Sequence, residues 1–178
     1  MTLWRLRATV DDRPGFLSVL TASLALRSIN ILSVQVHATE AGAVDDFLID
    51  APAALSEEDI LEAVRRGRGR DPWLSPSDAR GLVDEPTRVL GLAARVVTDP
   101  HDLGATLAAL LPDATVSWRP GPNSGADGFT DTAIQLVDPA GGALFIHRPA
   151  PAFTPAEYAR VHALAQLARS VPALPKGP

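Results

Sequence analysis

Cysteine is absent from the 178 residues, which excludes a disulfide framework, a thiolate zinc site, an iron–sulfur cluster and a cysteine nucleophile. The N-terminus lacks the basic and apolar regions of a secretory signal, and no apolar run approaches the roughly 20 residues that span a bilayer. The expectation is a cytoplasmic chain with no membrane partner. An excess of positive charge is missing too. A net charge of −5 and a pI near 5.3 argue against nucleic acid as the main partner, because phosphate neutralisation needs a cationic surface. There is no Gly-x-x-x-x-Gly-Lys loop, no Gly-x-Gly-x-x-Gly and no Gly-x-Ser-x-Gly elbow. Of the histidines, His37, His101, His147 and His162, none stands at helical i, i+4 spacing with another or in a His-x-Glu or Glu-x-x-His pair. The reading is therefore not an enzyme, with no catalytic residues, no metal and no cofactor.

What is present is a foldable chain, 46% apolar and 21% charged, long enough for one large or two small domains. One stretch, Asp11-Asp12-Arg13-Pro14-Gly15-Phe16, organises its first part. Before it, Trp4, Leu6, Ala8 and Val10 alternate with Arg5, Arg7 and Thr9, the period of a half-buried strand. After it, Phe16, Val19, Leu20 and Leu24 form a helical stripe. The stretch is a strand-to-helix turn in which an aspartate suits the N-cap, Pro14 is tolerated at the helix start, and Gly15 leaves room for a group to approach the backbone. An anion such as a carboxylate is favoured there by the helix dipole.

A second alternation puts Leu32, Val34, Val36 and Ala38 inward and Ser33, Gln35 and His37 outward. Glu40-Ala41-Gly42 turns the chain into a third strand over residues 44–49, with Asp45 and Asp46 interrupting its pattern. Their expected state is solvated or weakly paired with Arg5 or Arg7. Ser56 caps a second helix that runs into Arg65-Arg66-Gly67-Arg68-Gly69-Arg70, read as a helix terminus with solvated charge. The order strand, helix, strand, strand, helix is a split βαβ layout. Two prolines in Asp71-Pro72-Trp73-Leu74-Ser75-Pro76 leave room for at most a short edge strand.

Residues 3–70 resemble an ACT domain, on the strength of Asp12-Arg13-Pro14-Gly15, the helix after it, and Ile29-Asn30-Ile31 at matching distance. The resemblance implies a ligand-sensing module whose amino-acid effector lies where two modules meet. It implies as ligand-binding residues Asp12, Pro14, Gly15, Phe16 and Leu17 through the backbone, with Asn30 and Ile31 at the start of the second strand. Beyond a linker, Val89, Leu92, Ala93, Val96 and Val97 predict a helix, then Leu103, Leu107, Leu110 and Leu111 another. A strand over 115–119, a loop over 120–131 and a hairpin over 133–148 follow. Thr154, Pro155 and Glu157 open a last helix, with Phe153 expected to pack on Tyr158. This half resembles a shortened GAF-type domain closed by the helix after Phe153-Thr154-Pro155. It lacks the strands and helix that enclose a ligand in that family, so no pocket is carried over.

The expected fold class is α+β: an ACT-like βαββα(β) ferredoxin-like sandwich, then a second small α+β domain with a closing helix. The expected boundaries are a sensing domain at 1–74, a linker at 75–86, the second domain at 87–171 and a disordered tail at 172–178. The expected function is a regulatory protein that binds a small amino acid between two ACT modules of a homodimer. The alternative is a non-catalytic dimerisation scaffold for a partner enzyme.

Overall fold

The computed structural model describes residues 2–40, 42–77, 85–111, 113–120, 127–138 and 141–171. The chain divides into two compact units, Met1–Asp84 and Glu85–Pro178, and its fold class is α+β. The tail expected at 172–178 and residues 121–126 of the loop expected at 120–131 lie outside the described residues.

Unit 1 runs β1 (Thr2–Val10), α1 (Phe16–Ala25), β2 (Asn30–Thr39), β3 (Gly42–Ala51), α2 (Glu57–Arg66) and β4 (Arg70–Pro76). Its sheet has the order β2-β3-β1-β4 with every pair antiparallel, the ferredoxin-like arrangement in which two split βαβ units interlock. Alternation along the strands sends Leu6, Ala8 and Val10, with Ala43, Phe47 and Ile49, to one face. There they meet Leu20 and Leu24 of α1 and Ile60, Ala63 and Val64 of α2. Each fully buried aliphatic side chain of this kind contributes about 1.5–3 kcal/mol. The start of α2 is a full capping box: the Ser56 hydroxyl accepts from the Asp59 N–H, and the Asp59 carboxylate accepts from the Ser56 N–H at 3.0 Å.

Three expectations for unit 1 need correction. Helix α1 is not capped by an aspartate, and Pro14 is not its first residue. Gly15 is the N-cap, in the left-handed region at φ 94°, with no side chain capping the helix. The fourth strand is an edge strand, as expected, but it is seven residues long rather than short. It tolerates its prolines because it lies on the sheet edge and because its register against β1 shifts between Arg7 and Thr9. Asp71, at φ 47°, and Pro72 fall in that irregularity, where no ladder hydrogen bond is needed. Finally, Leu32, Val34 and Val36 are not buried. They remain 41%, 41% and 53% exposed, because β2 is the opposite edge strand, bonded only to β3, with a register shift between Ile31 and Ser33.

Unit 2 contains α3 (Glu85–Thr98), a 3-10 turn at Pro100–Asp102, α4 (Leu103–Leu110), β5 (Thr115–Arg119), β6 (Gly128–Phe129), β7 (Ala133–Val137), β8 (Ala143–His147) and α5 (Pro155–Ser170). Its antiparallel sheet has the order β5-β8-β7-β6. Leu136, Leu144 and Ile146 pack with Val96, Leu107, Val161 and Leu164 of the helices in a separate core. Phe153 and Tyr158, the expected staple pair, belong to this same core, Phe153 buried within it and Tyr158 packed against it, and each makes a further contact. Tyr158 stacks on Phe129 with ring centres 4.6 Å apart, and the Arg148 guanidinium lies over the Phe153 ring at 4.2 Å.

Candidate functional site

The β1–α1 turn is built by a short-range hydrogen-bond pattern. The Arg13 N–H donates to the Asp11 carbonyl at 2.8 Å and the Phe16 N–H to the Arg13 carbonyl at 3.3 Å. The second bond closes a turn with Pro14 and Gly15 at its centre, and the second central position is left-handed, φ 94°, which glycine adopts without strain. The first α-helical bond runs from the Val19 N–H to the Gly15 carbonyl. The N–H groups of Leu17 and Ser18 therefore stand at the open, positive end of the helix. A β-carbon on Gly15 would meet nothing within 4 Å, so the backbone is accessible from outside.

Cations gather at this end. Arg70 of β4 pairs with the Asp11 carboxylate, and its hydrogen bond, helped by the charges of Arg70, Arg13 and Arg68, holds that carboxyl below its ordinary value. The Arg68 guanidinium also sits 5.9 Å above the Phe16 ring. The run Arg65 to Arg70 was expected to be only a helix terminus. The signal in the sequence was topological: β4 must return antiparallel to β1, and the register pairs Arg70 with Thr9, delivering the end of the run to the turn.

Among the expected ligand-binding residues, Asp12, Pro14 and Gly15 are exposed in this turn, and Phe16 and Leu17 are half-buried, leaning on the core. Asn30 and Ile31 are not brought to them. Asn30 is exposed opposite Asp50, and Ile31 pairs with Ile49, at the far end of the sheet from Ala38 and Ala43. At ~3.3 Å per residue the two ends are roughly 26 Å apart. Helix α1 runs back along the sheet before β2 begins, so a single copy cannot close both groups on one small ligand.

The aspartates of β3 part company. Asp46 faces away from the helices and is gripped by Arg5 (Nε 3.1 Å, Nη2 2.9 Å) and Arg7 (Nε 3.2 Å, Nη2 2.6 Å). Of the two expected states, solvation and weak pairing with Arg5 or Arg7, the structure has the pairing, made with both arginines and part-buried rather than weak and solvated. Burial pushes its carboxyl up, but the hydrogen bonds and charges of the two arginines outweigh it, and the net direction is down. Asp45 lies on the core face, fully buried, with neither carboxylate oxygen hydrogen-bonded. Burial alone raises its carboxyl to about 6. Strand parity carried the signal: Asp45 is in step with Ala43 and Phe47, Asp46 with Leu48.

Unit 2 offers less. A shallow depression lined by Gly91, Arg95, Asp99 and Asp102 has its charges engaged, Arg95 with Asp102 at 2.6 Å and Asp99 with the His101 N–H. Asp127 ties His162 (3.2 Å) and Arg169 (3.3 Å) together. Among the described residues no group of three or more His, Asp or Glu side chains is placed to hold a metal ion, and no helix is long and apolar enough to cross a membrane.

No protein-family pattern matches the chain, and no curated protein does. Solved structures similar to it include an unknown protein from Galdieria sulphuraria, 13% identical with a TM-score of 0.39 over 94% of this chain and 91% of that one. A formyltetrahydrofolate deformylase from Pseudomonas putida KT2440 is 12% identical, with a TM-score of 0.34 over 55% of this chain and 38% of that one. A protein from Bacteroides thetaiotaomicron is 12% identical, with a TM-score of 0.36 over 98% of each. At TM-scores below 0.5 none of these carries an argument about the chemistry of this chain.

Proposed function

We propose that unit 1 is a non-catalytic sensor of a small amino acid and that it works as a homodimer. The observation that carries this reading is the β1–α1 turn: a left-handed, exposed glycine with open space beside it, at a helix N-terminus ringed by Arg13, Arg68 and Arg70. A carboxylate meets donors and positive charge there. The remaining end of a zwitterion needs acceptors, and Asn30 supplies a side-chain oxygen.

Dimerisation follows from the separation of these groups. Strand β2 is a ten-residue edge without lysine or proline, the kind of edge that pairs with another strand unless something prevents it. If two copies align their β2 strands antiparallel, the Asn30 end of one lies beside the turn end of the other. A ligand held between the two copies would then favour one relative orientation of the modules, which is how sensing becomes regulation.

Calorimetry of the full chain against the twenty amino acids tests the reading. Binding of one or a few small amino acids is expected, and Gly15→Asp, which sets a carboxylate into the berth, weakens it on the order of tenfold or more. A side chain at φ 94° strains the turn, so the loss of binding is read only on a variant shown by circular dichroism and sedimentation to be folded and dimeric. Silence from a folded wild-type dimer across the whole panel rejects sensing. It leaves the second reading, a dimerisation scaffold for a partner enzyme, which the exposed Leu32, Val34 and Val36 favour on their own.

A further inference from the structure

Asp45 is the one ionisable side chain in unit 1 that is fully buried with both carboxylate oxygens unbonded among the described residues. Isolated burial of an ionised carboxylate is too unfavourable to persist, so such a group stays neutral or gains a partner. Its neighbours supply none. Across the sheet it faces Ala8 on β1 and Val36 on β2. Helix α1, Phe16–Ala25, has no ionisable residue, and the buried residues of α2 are Ile60, Ala63 and Val64. The cations nearest this end of the sheet have other contacts, Arg70 with Asp11 and Arg68 over Phe16.

We propose that Asp45 is a proton-operated latch on the β2 edge: the closed sheet holds it as the neutral acid, and loss of the proton frees β2 from β3. The strand that yields is fixed by topology. Of the elements around the carboxylate, β1 and β2 are the strands that flank it directly, and movement of either would let water in. Within one copy, strand β1 is bonded on both sides, whereas β2 is bonded only to β3, with an irregular register between Ile31 and Ser33 and, at Val36, a side chain 53% exposed. Releasing β2 breaks one ladder and little core.

The sign follows from the direction of the shift. A buried acid that keeps its proton up to about 6, against 3.8 in an open chain, stabilises the closed form at low pH. That advantage is lost as pH rises between those two values and changes no further above them. The width of the window corresponds to an increase of up to about a hundredfold in the opening of β2.

Carboxyl carbon NMR and amide hydrogen exchange on the full chain test the latch. Expected are an Asp45 carboxyl titrating near 6 and amide protection in β2, corrected for intrinsic exchange, falling by up to about a hundredfold across the window, with β1 protection steady. Asp45→Asn and Asp45→Val should both abolish the fall. An Asp45 carboxyl titrating near its ordinary value overturns the proposal, and the wild-type chain alone decides this if neither variant folds. An equal fall in the variants, or loss of protection in β1 rather than β2, also overturns it.

Discussion

At the scale of single residues, the neighbouring aspartates of β3 show how one step along a strand changes the physics. Asp46 answers two arginines, one of them, Arg7, almost wholly buried at 4% exposure. Removing the carboxylate by Asp46→Ala takes from that guanidinium its bonds at 3.2 and 2.6 Å, and breaking a buried pair from one side destabilises a fold by up to about 3–5 kcal/mol. Urea denaturation near neutral pH should show a loss of that order. The pH dependence has the opposite sense to that of Asp45. With its folded value lowered, Asp46 contributes stability that is fully present above 3.8 and disappears as pH falls through the lower folded value. Acid denaturation of Asp46→Asn should therefore lack part of the low-pH loss seen in the wild type. The sequence placed both residues on a strand and offered both arginines as partners. It could not decide the pairing, because the choice turns on which strands neighbour β3 and on which face carries the helices.

At the scale of elements, the start of α5 shows a local signal completed by a distant one. Thr154 and Glu157 form the capping box that their spacing announces, and the same Glu157 carboxylate receives both ends of the Arg148 guanidinium at 3.0 and 2.9 Å. Arg148 also donates to the Pro151 and Ala152 carbonyls at 2.8 and 3.2 Å, fastening the loop between β8 and α5. Arg148 is 2% exposed and Glu157 4%, and the donors and acceptors of this pair are matched. Thr154→Ala should cost about 1 kcal/mol, as the loss of a helix cap does. Arg148→Ala should cost about 3–5 kcal/mol, and Arg148→Lys should not restore the wild type, since an ammonium cannot reproduce the planar fork or lie flat on Phe153. Because both positions act through Glu157, the double variant should lose less than the sum, and a double-mutant cycle in urea measures the difference. The helices with capping boxes and the alternating strands were legible because those signals span only a few residues. Strand β4 was not, because whether Asp71-Pro72 ends a strand or occupies a bulge depends on its partner β1. The aspartate expected to cap α1 failed because the turn places Gly15 at the N-cap, beyond both aspartates, and Asp11 pairs instead with Arg70, 59 residues further along.

At the scale of the whole molecule, the candidate site is legible only in halves. The turn with its glycine could be read from the sequence, and so could Asn30, but the ~26 Å between the sheet ends that hold them depends on the direction in which α1 returns. The missing half, on the proposed function, is supplied by a second copy through β2. The apolar side chains Leu32, Val34 and Val36 are exposed along this edge, and Val19 of α1 is 42% exposed. Burial of such side chains is the driving force for association. Lysines at this edge oppose it twice, by hydration of the ammonium and by repulsion of the same charge on the partner strand. Val34→Lys with Val36→Lys should therefore convert a dimer to a monomer in sedimentation, with the circular dichroism of unit 1 intact, since both positions lie outside its buried core. The same variant should lose amino-acid binding although neither residue belongs to the turn, because each monomer keeps a carboxylate berth without the opposing Asn30. If the monomer binds as tightly as the wild type, the ligand is held by one copy alone, and the two-copy arrangement is wrong even though the turn is right.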